Sequence, residues 1–337
     1  MTEMTVLNGV AIEELLTIPM AVEAVEQAYL EKSKGDAALW PMVFHEFDPG
    51  HADLDIKSGD LGGLGFYGLK VVSWFGANPG KGLPALYGTS LLFDLATGAP
   101  RALLNAGPIT DFRTGAAGAI GAKYLARPDA ETLLMAGTGA LAPYLIAATL
   151  YLLPQIKTVY VTNPHHPECS AAACEAITPQ VEKLLSGCGG CHAAIAAAPD
   201  LEKAVRHSDV ILTATPAREP FIKAEWVQPG THISCVGADM PGKQEVDSAL
   251  FASAKVFGDD TAQCLSVGEC EVPYKAGVFS GHICEIGGVI SGAEAGRTDA
   301  SDITIFDSTG IALQDIASAA IILKACEKQG LGTVCEI

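Results

Sequence analysis

The sequence predicts an α/β fold: a doubly wound parallel sheet domain together with an α+β domain. Three observations carry this. Beyond about residue 128, apolar strand-like runs alternate with apolar helix-like runs at the spacing of βα units. A glycine turn, Gly137-Thr138-Gly139-Ala140-Leu141-Ala142, joins one such run to the next helix. From Asp53 to about Leu104, short apolar runs are separated by Gly, Pro and Asn, the texture of antiparallel or mixed strands.

The elements follow in order. Residues 19–34 read as a helix, with Pro19 in its first turn, Val22, Val25 and Tyr29 at helical spacing, and Gly35 as the stop. Tyr67–Trp74, Tyr87–Phe93 and Ala102–Leu104 read as strands, with turns at Pro79-Gly80 and Thr97-Gly98. Residues 110–126 form an Ala/Gly-rich helix ending before Pro128. Strands follow at Thr132–Ala136, Thr158–Thr162, Val210–Thr213, His232–Val236 and Lys255–Phe257, with helices at Ala142–Leu152 and roughly Ser170–Leu185. A last strand and long helix, Ile303–Asp307 and Ile311–Gln329, are expected to fold back onto the N-terminal domain. The expected division is residues 1–118 with 303–337 in one domain and 119–302 in the other.

Composition narrows the function. The chain has 337 residues, 49% of them hydrophobic and 18% charged, as in a well-packed globular protein of two cores. Its net charge of −18 repels nucleic acid and anionic membrane, so neither is an expected partner. An anionic ligand must instead be held by a few local cations or N–H groups. Acidic residues Glu3, Glu13 and Glu14 stand where a signal peptide would be basic, and no apolar run reaches spanning length. The expected location is the cytoplasm, with the ten Cys as thiols. Cys188-Gly189-Gly190-Cys191-His192 matches the haem-attachment pattern and half a zinc site. Without export or a second ligand pair at a familiar spacing, it is expected to be a Gly-rich turn with free thiols, and no metal is expected.

The glycine turn fits the Rossmann dinucleotide fingerprint. Gly137 permits the tight turn, Gly139 lets a pyrophosphate approach the backbone, and Ala142 lets helix and strand pack closely. With Thr138, Ala140 and Leu141 these residues form the expected phosphate cradle, backed by a helix N-terminus. The next strand ends at Asn163, followed by His165 and His166. Asn163 can bond a ribose hydroxyl without repelling a 2′-phosphate, so NAD and NADP both remain open. Thr213, Ala214 and Thr215 follow another strand and are either cofactor contacts or ordinary strand-end residues.

Gly68-Leu69-Lys70, Asn78-Pro79 with Lys81-Gly82-Leu83-Pro84, Thr110 to Ala117, the Gly137 turn, Gly237 to Lys243, and Phe306 to Gly310 occur in an order that resembles the ornithine cyclodeaminase/μ-crystallin family over nearly the whole chain. The family includes cyclodeaminases, alanine dehydrogenases, imino-acid reductases and hormone-binding μ-crystallins. The resemblance implies Lys70 and Arg113 on a substrate carboxylate and Asp239 as catalytic acid/base. It also implies cofactor contacts from Arg113, Thr114, Val236, Gly237, Asp239, Ser308, Thr309 and Gly310. The N-terminal domain would bind a small amino or imino acid and form a homodimer.

The chemistry suits these residue types. Reducing an α-imino acid needs a cation for the carboxylate, a proton donor near nitrogen and a hydride source on one face. Arg113 can bind a carboxylate bidentately. Lys70, on an apolar strand, would be desolvated, which lowers an amine's pKa. Asp239 follows a strand and would lie at the sheet's carboxyl edge. Lys243 and Glu245 read as a solvated or domain-bridging pair. Ser308 opens a helix that either faces the ligand or is capped by Asp307 or Ser308.

Substrate choice turns on Asp53-Leu54-Asp55-Ile56-Lys57. Alternation puts Asp53, Asp55 and Lys57 on one face. A pocket-facing Lys57 would repel the distal ammonium of ornithine, and Trp40-Pro41-Met42 lacks the Arg expected of ornithine-type sites. The expected activity is therefore an NAD(P)-dependent oxidoreductase interconverting a small α-amino acid and its imino or 2-oxo acid. The alternatives are a cyclodeaminase lyase and a non-catalytic binding protein.

Overall fold

The computed structural model describes residues 3–337, so residues 1 and 2 of the expected 1–118 domain lie outside it. The chain divides into two compact units, one running through Arg113 and taking in Ile311–Ile337, the other Thr114–Gly310.

The first unit opens with β1 (Glu3–Leu7), α1 (Gly9–Leu15) and α2 (Ile18–Lys34). Thr17 caps α2 by accepting from the Met20 N–H, and Gly35, with φ +78°, ends it in the left-handed conformation. Strands β2 (Ala37–Leu39), β3 (Val43–Asp48), β4 (Ala52–Leu61), β5 (Phe66–Phe75), β6 (Leu86–Asp94) and β7 (Pro100–Asn105) lead into α3 (Ala106–Leu125), whose first eight residues close this part of the unit. Helix α3 starts earlier than the expected residue 110. Pro108, which lacks an N–H, is tolerated in a first helical turn, and Asn105 Oδ1 accepts the Gly107 N–H there.

The second unit carries β8 (Thr132–Ala136), α4 (Ala142–Leu152), β9 (Thr158–Thr162), α5 (Ser170–Leu185), β10 (Ala194–Ala197), α6 (Leu201–Arg206), β11 (Val210–Thr213) and β12 (His232–Cys235). Then come β13 (Lys255–Gly258), α7 (Thr261–Val267), α8 (Glu271–Lys275), β14 (Cys284–Glu285), α9 (Ile286–Ser291) and β15 (Thr304–Asp307). They build one parallel sheet in the order β10-β9-β8-β11-β12-β15-β13-β14. Chain order reverses between β8 and β11, so their carboxyl ends flank the crevice where such Rossmann-like sheets bind ligands. Val210, Ile211 and Leu212 are wholly buried, which explains their unbroken apolar run.

Helix α10 (Ala312–Gln329) and β16 (Thr333–Glu336) return to the first unit. Its sheet runs β16-β1-β7-β6-β5-β4-β2, with β3 also paired to β4. Helix α10 packs on α2 and covers β4, β5 and β6. Leu313, Ile316, Ile322 and Leu323 are buried there, each contributing roughly 1.5–3 kcal/mol.

Two expectations need correction. Residues 303–310 do not join the N-terminal domain. Strand β15 lies between β12 and β13, with Thr304 opposite both His232 and Lys255, because Ile305 and Phe306 are fully buried in that sheet. Nor does a helix start at Ser308: α10 begins at Ala312, and neither Asp307 nor Ser308 caps it. No helix among the described residues is long and apolar enough to cross a membrane.

Candidate functional site

In the first unit, three cations gather around one carboxylate. Lys70, on β5, is 2% exposed. Its Nζ donates to Asp315 Oδ1 at 2.8 Å and to Thr110 Oγ1 at 3.4 Å. Arg113, on α3, donates from Nη1 to Gln314 Oε1 at 3.0 Å, and its Nε lies 3.4 Å from Asp315 Oδ1. Gln314 Nε2 in turn donates to Tyr29 Oη at 2.7 Å, fixing the α10 end of the group. Lys57, half-buried on β4, stands directly opposite Lys70 in the antiparallel register, so both side chains leave the same sheet face.

Electrostatics follow from burial. Desolvation, reinforced by Arg113 and Lys57 and opposed by Asp315, brings the Lys70 amine down to about 8. Burial would raise Asp315, but Lys70, Arg113 and Lys57 together hold it below the ordinary carboxylate range. Asp111, two residues before Arg113, is pushed up to about 6 by burial, with Arg113 opposing. The cluster therefore keeps cationic groups in a poorly solvated place inside a chain of net charge −18, which suits an anionic ligand. Asp315 and Gln314 were not anticipated. Their one signal is a polar pair in the largely apolar first half of a helix.

The second unit carries the glycine turn. Gly137 has φ +134°, and a Cβ there would come 2.5 Å from the Ala214 carbonyl oxygen. A Cβ on Gly139 would meet nothing within 4 Å, so its backbone is open to a ligand. No side chain caps the N-terminus of α4. A bare turn leading into an uncapped helix N-terminus fits a dinucleotide pyrophosphate, which Gly137, Thr138, Gly139, Ala140 and Leu141 would hold. Asn163 Nδ2 donates to Thr138 Oγ1 at 3.0 Å, and Asn163 Oδ1 accepts the N–H groups of His165 and His166 at 3.1 and 2.9 Å. Asn163 thereby ties the end of β9 to the turn. Gly115 passes close to α4, where a Cβ would lie 2.7 Å from the Tyr144 backbone, and Thr114 beside it is buried.

At the carboxyl ends of β11 and β12, one expectation is overturned. Glu245 is not solvated and does not pair with Lys243. It is 0% exposed and accepts from Thr213, Thr215 and Gly237. The hydroxyls of Thr213 and Thr215 are thus committed to Glu245 rather than turned to a ligand, and Ala214 abuts Gly137 between them. Lys243 instead bonds Asp239 Oδ1 at 2.5 Å; Asp239 is exposed, beyond the end of β12, and Val236 is buried behind it. Ser308 and Thr309 are buried, the Thr309 hydroxyl donates to Asp259 Oδ1 at 2.7 Å, and the Gly310 N–H donates to Asp259 Oδ2 at 3.0 Å. Asp259, not a helix cap, organises that loop. Lys57, Lys70 and Arg113 thus belong to the first unit, and Asp239 with the glycine turn to the second. Cys188 and Cys191 are free thiols in a turn whose Gly189 and Gly190 have positive φ.

Residues 2–330 match the model of the ornithine cyclodeaminase/mu-crystallin family. An alanine dehydrogenase of Archaeoglobus fulgidus is 35% identical over 335 residues, 98% of each chain. Among solved structures, an archaeal alanine dehydrogenase dimer with bound NAD superposes with a TM-score of 0.86 at 35% identity, covering 99% of each chain. The iminosuccinate reductase of Paracoccus denitrificans in complex with NAD+ gives 0.89 at 31% identity, covering 99% of this chain and all of the other.

Proposed function

Since the chain belongs to the ornithine cyclodeaminase/mu-crystallin family, we propose that it is an NAD-dependent oxidoreductase interconverting a small α-amino acid and its imino acid. The observation that carries this reading is the buried group of Lys70 and Arg113 around Asp315, a cationic site in an acidic protein. Lys70 and Arg113 bind the substrate carboxylate and orient the α-carbon. Asp239 exchanges the proton at the substrate nitrogen, and Lys243 holds its carboxylate in place. The dinucleotide supplies or accepts the hydride. Thr114, Val236, Gly237, Ser308, Thr309 and Gly310 line its site along with the glycine turn.

NAD is favoured over NADP by the segment after β9. No Lys or Arg stands between Asn163 and Ser170, and Glu168, 3.3 Å from His166, adds negative charge there. Lys57 opposite Lys70 disfavours a diamino acid, which argues against cyclodeaminase chemistry. Trp40, Met42, Phe44 and Phe47 are exposed on and beside β3, and an apolar surface of that kind supports a homodimer formed through the first unit. The ten thiols suit the reducing cytoplasm.

The test is spectrophotometric. Purified protein is offered NADH with three- and four-carbon 2-oxo acids plus ammonia, and with a five-membered cyclic imine. Net NADH oxidation is expected with at least one of them. No turnover across the panel, or ammonia release from ornithine without net cofactor change, would overturn the reading.

A further inference from the structure

Glu245 takes four hydrogen bonds. Its Oε1 accepts from the Thr215 N–H at 2.7 Å and the Thr215 hydroxyl at 2.8 Å. Its Oε2 accepts from the Thr213 hydroxyl at 2.6 Å and the Gly237 N–H at 2.9 Å. Four donors match the four lone-pair directions of a carboxylate and leave no place for a proton. Glu269, also fully buried, differs. Its Oε1 accepts the N–H groups of Glu245 and Val246 at 2.8 and 2.7 Å, while its Oε2 is buried without a partner. Burial raises both carboxyls, and Glu269 rises well above its ordinary value because the Glu245 charge adds to its burial. Of the two, Glu245 is the anion and Glu269 holds the proton.

The donors to Glu245 come from the ends of two neighbouring strands. Thr213 ends β11, Thr215 lies two residues beyond it, and Gly237 follows β12. The two segments touch closely: a Cβ on Gly237 would stand 2.4 Å from the Thr215 carbonyl oxygen and 2.6 Å from the Glu245 carboxyl carbon. Ala214, between the threonines, abuts Gly137. Glu245 is thus a clamp behind the edge of the sheet along which a dinucleotide extends away from the glycine turn.

We infer that ionised Glu245 is a positioning residue for the nicotinamide half of the dinucleotide site, locking the loops after β11 and β12 into the arrangement which that half requires. The inference rests on the dinucleotide reading above. The adenosine half belongs to the β9 side of the turn and should be indifferent to the clamp.

Full-length wild type, Glu245→Gln and Glu269→Gln are titrated with NADH and, separately, with ADP. A glutamine at 245 sets an NH2 group against an N–H donor and releases one loop, so NADH binding should weaken about tenfold, with ADP affinity held within about twofold. A glutamine at 269 mimics the protonated acid, so both affinities should stay within about twofold of wild type. Glu245→Gln that binds NADH normally, loses ADP in parallel, or is matched by Glu269→Gln overturns the clamp while the dinucleotide reading stands. Wild type that binds neither ligand overturns both. Should Glu245→Gln not fold, Thr213→Val removes one donor in an isosteric side chain. About threefold weaker NADH binding with unchanged ADP then supports the clamp, and unchanged NADH binding overturns it.

Discussion

Lys70 and Asp315, 245 positions apart in sequence, form a buried ion pair at 2.8 Å, with side chains 2% and 3% exposed. Asp315 is also the carboxylate that Arg113 approaches. One acidic side chain on α10 therefore sets the position of both groups assigned to the substrate carboxylate. It keeps Lys70 from losing its charge altogether in a site that has stripped it of water.

Removing that carboxylate leaves two buried cations poorly compensated. Asp315→Asn is expected to destabilise the protein by about 3–5 kcal/mol. It should also reduce kcat/KM at least 100-fold, roughly the 2.7 kcal/mol equivalent of losing one charge-assisted contact. Urea unfolding and steady-state kinetics measure both. Wild-type activity in a folded Asp315→Asn protein would show that Lys70 needs no such anchor.

The Lys70 amine, brought to about 8, gives substrate binding a pH limit. Below about 8 it is charged and can hold a carboxylate; above it, that cation is lost. The inhibition constant of a 2-oxo acid, whose carboxylate stays ionised throughout, should be flat from pH 6 to 7.5 and rise roughly tenfold per unit beyond about 8.5. A curve flat to pH 10 would mean that Lys70 is not the group on the carboxylate.

Lys57 faces the same side of the sheet as Lys70, and its charge should select the substrate side chain. Lys57→Glu is expected to lower kcat/KM for a four-carbon diacid substrate about 100-fold while changing a three-carbon monoacid less than about fivefold. Equal loss on both would assign Lys57 to general packing.

Asp307 ends β15 with one oxygen accepting the Cys270 N–H and the other buried without a partner. Burial lifts it to about 7 from 3.8. A raised folded value means that its stabilisation is complete below 3.8 and lost as pH climbs through 7. Asp307→Asn, neutral throughout, should match wild type at pH 4 and exceed it at pH 8 by on the order of 3 kcal/mol. Thermal unfolding at the two pH values checks this; a variant less stable at pH 8 contradicts it.

The exposed aromatic residues on β3 predict a concentration-dependent assembly. Phe44→Lys with Phe47→Lys should convert a dimer to a monomer in light scattering, because burying two unpaired ammonium groups costs several kcal/mol. A wild-type monomer, or a variant still dimeric, removes this face from the assembly.

The sequence by itself determined the elements with one strong local signal. β8, α4, β9 and β11 were legible to the residue and α5 approximately, since unbroken apolar strands, helical periodicity and the glycine turn need no partner to be recognised. Short motifs singled out Lys70 and Arg113, which the structure brings together around Asp315. The edge elements were not legible: β3 is exposed throughout and β10 is four apolar residues long, so neither shows a polar/apolar alternation in its sequence. Tertiary structure alone decided the rest. It placed β15 in the parallel sheet rather than beside α10. It brought Asp315 to Lys70. It buried Glu245, which beside Lys243 looks like half of a surface ion pair, under four donors from the ends of β11 and β12. A charged side chain's environment depends on which strands neighbour it in space, and local sequence carries no record of that until the sheet order is fixed.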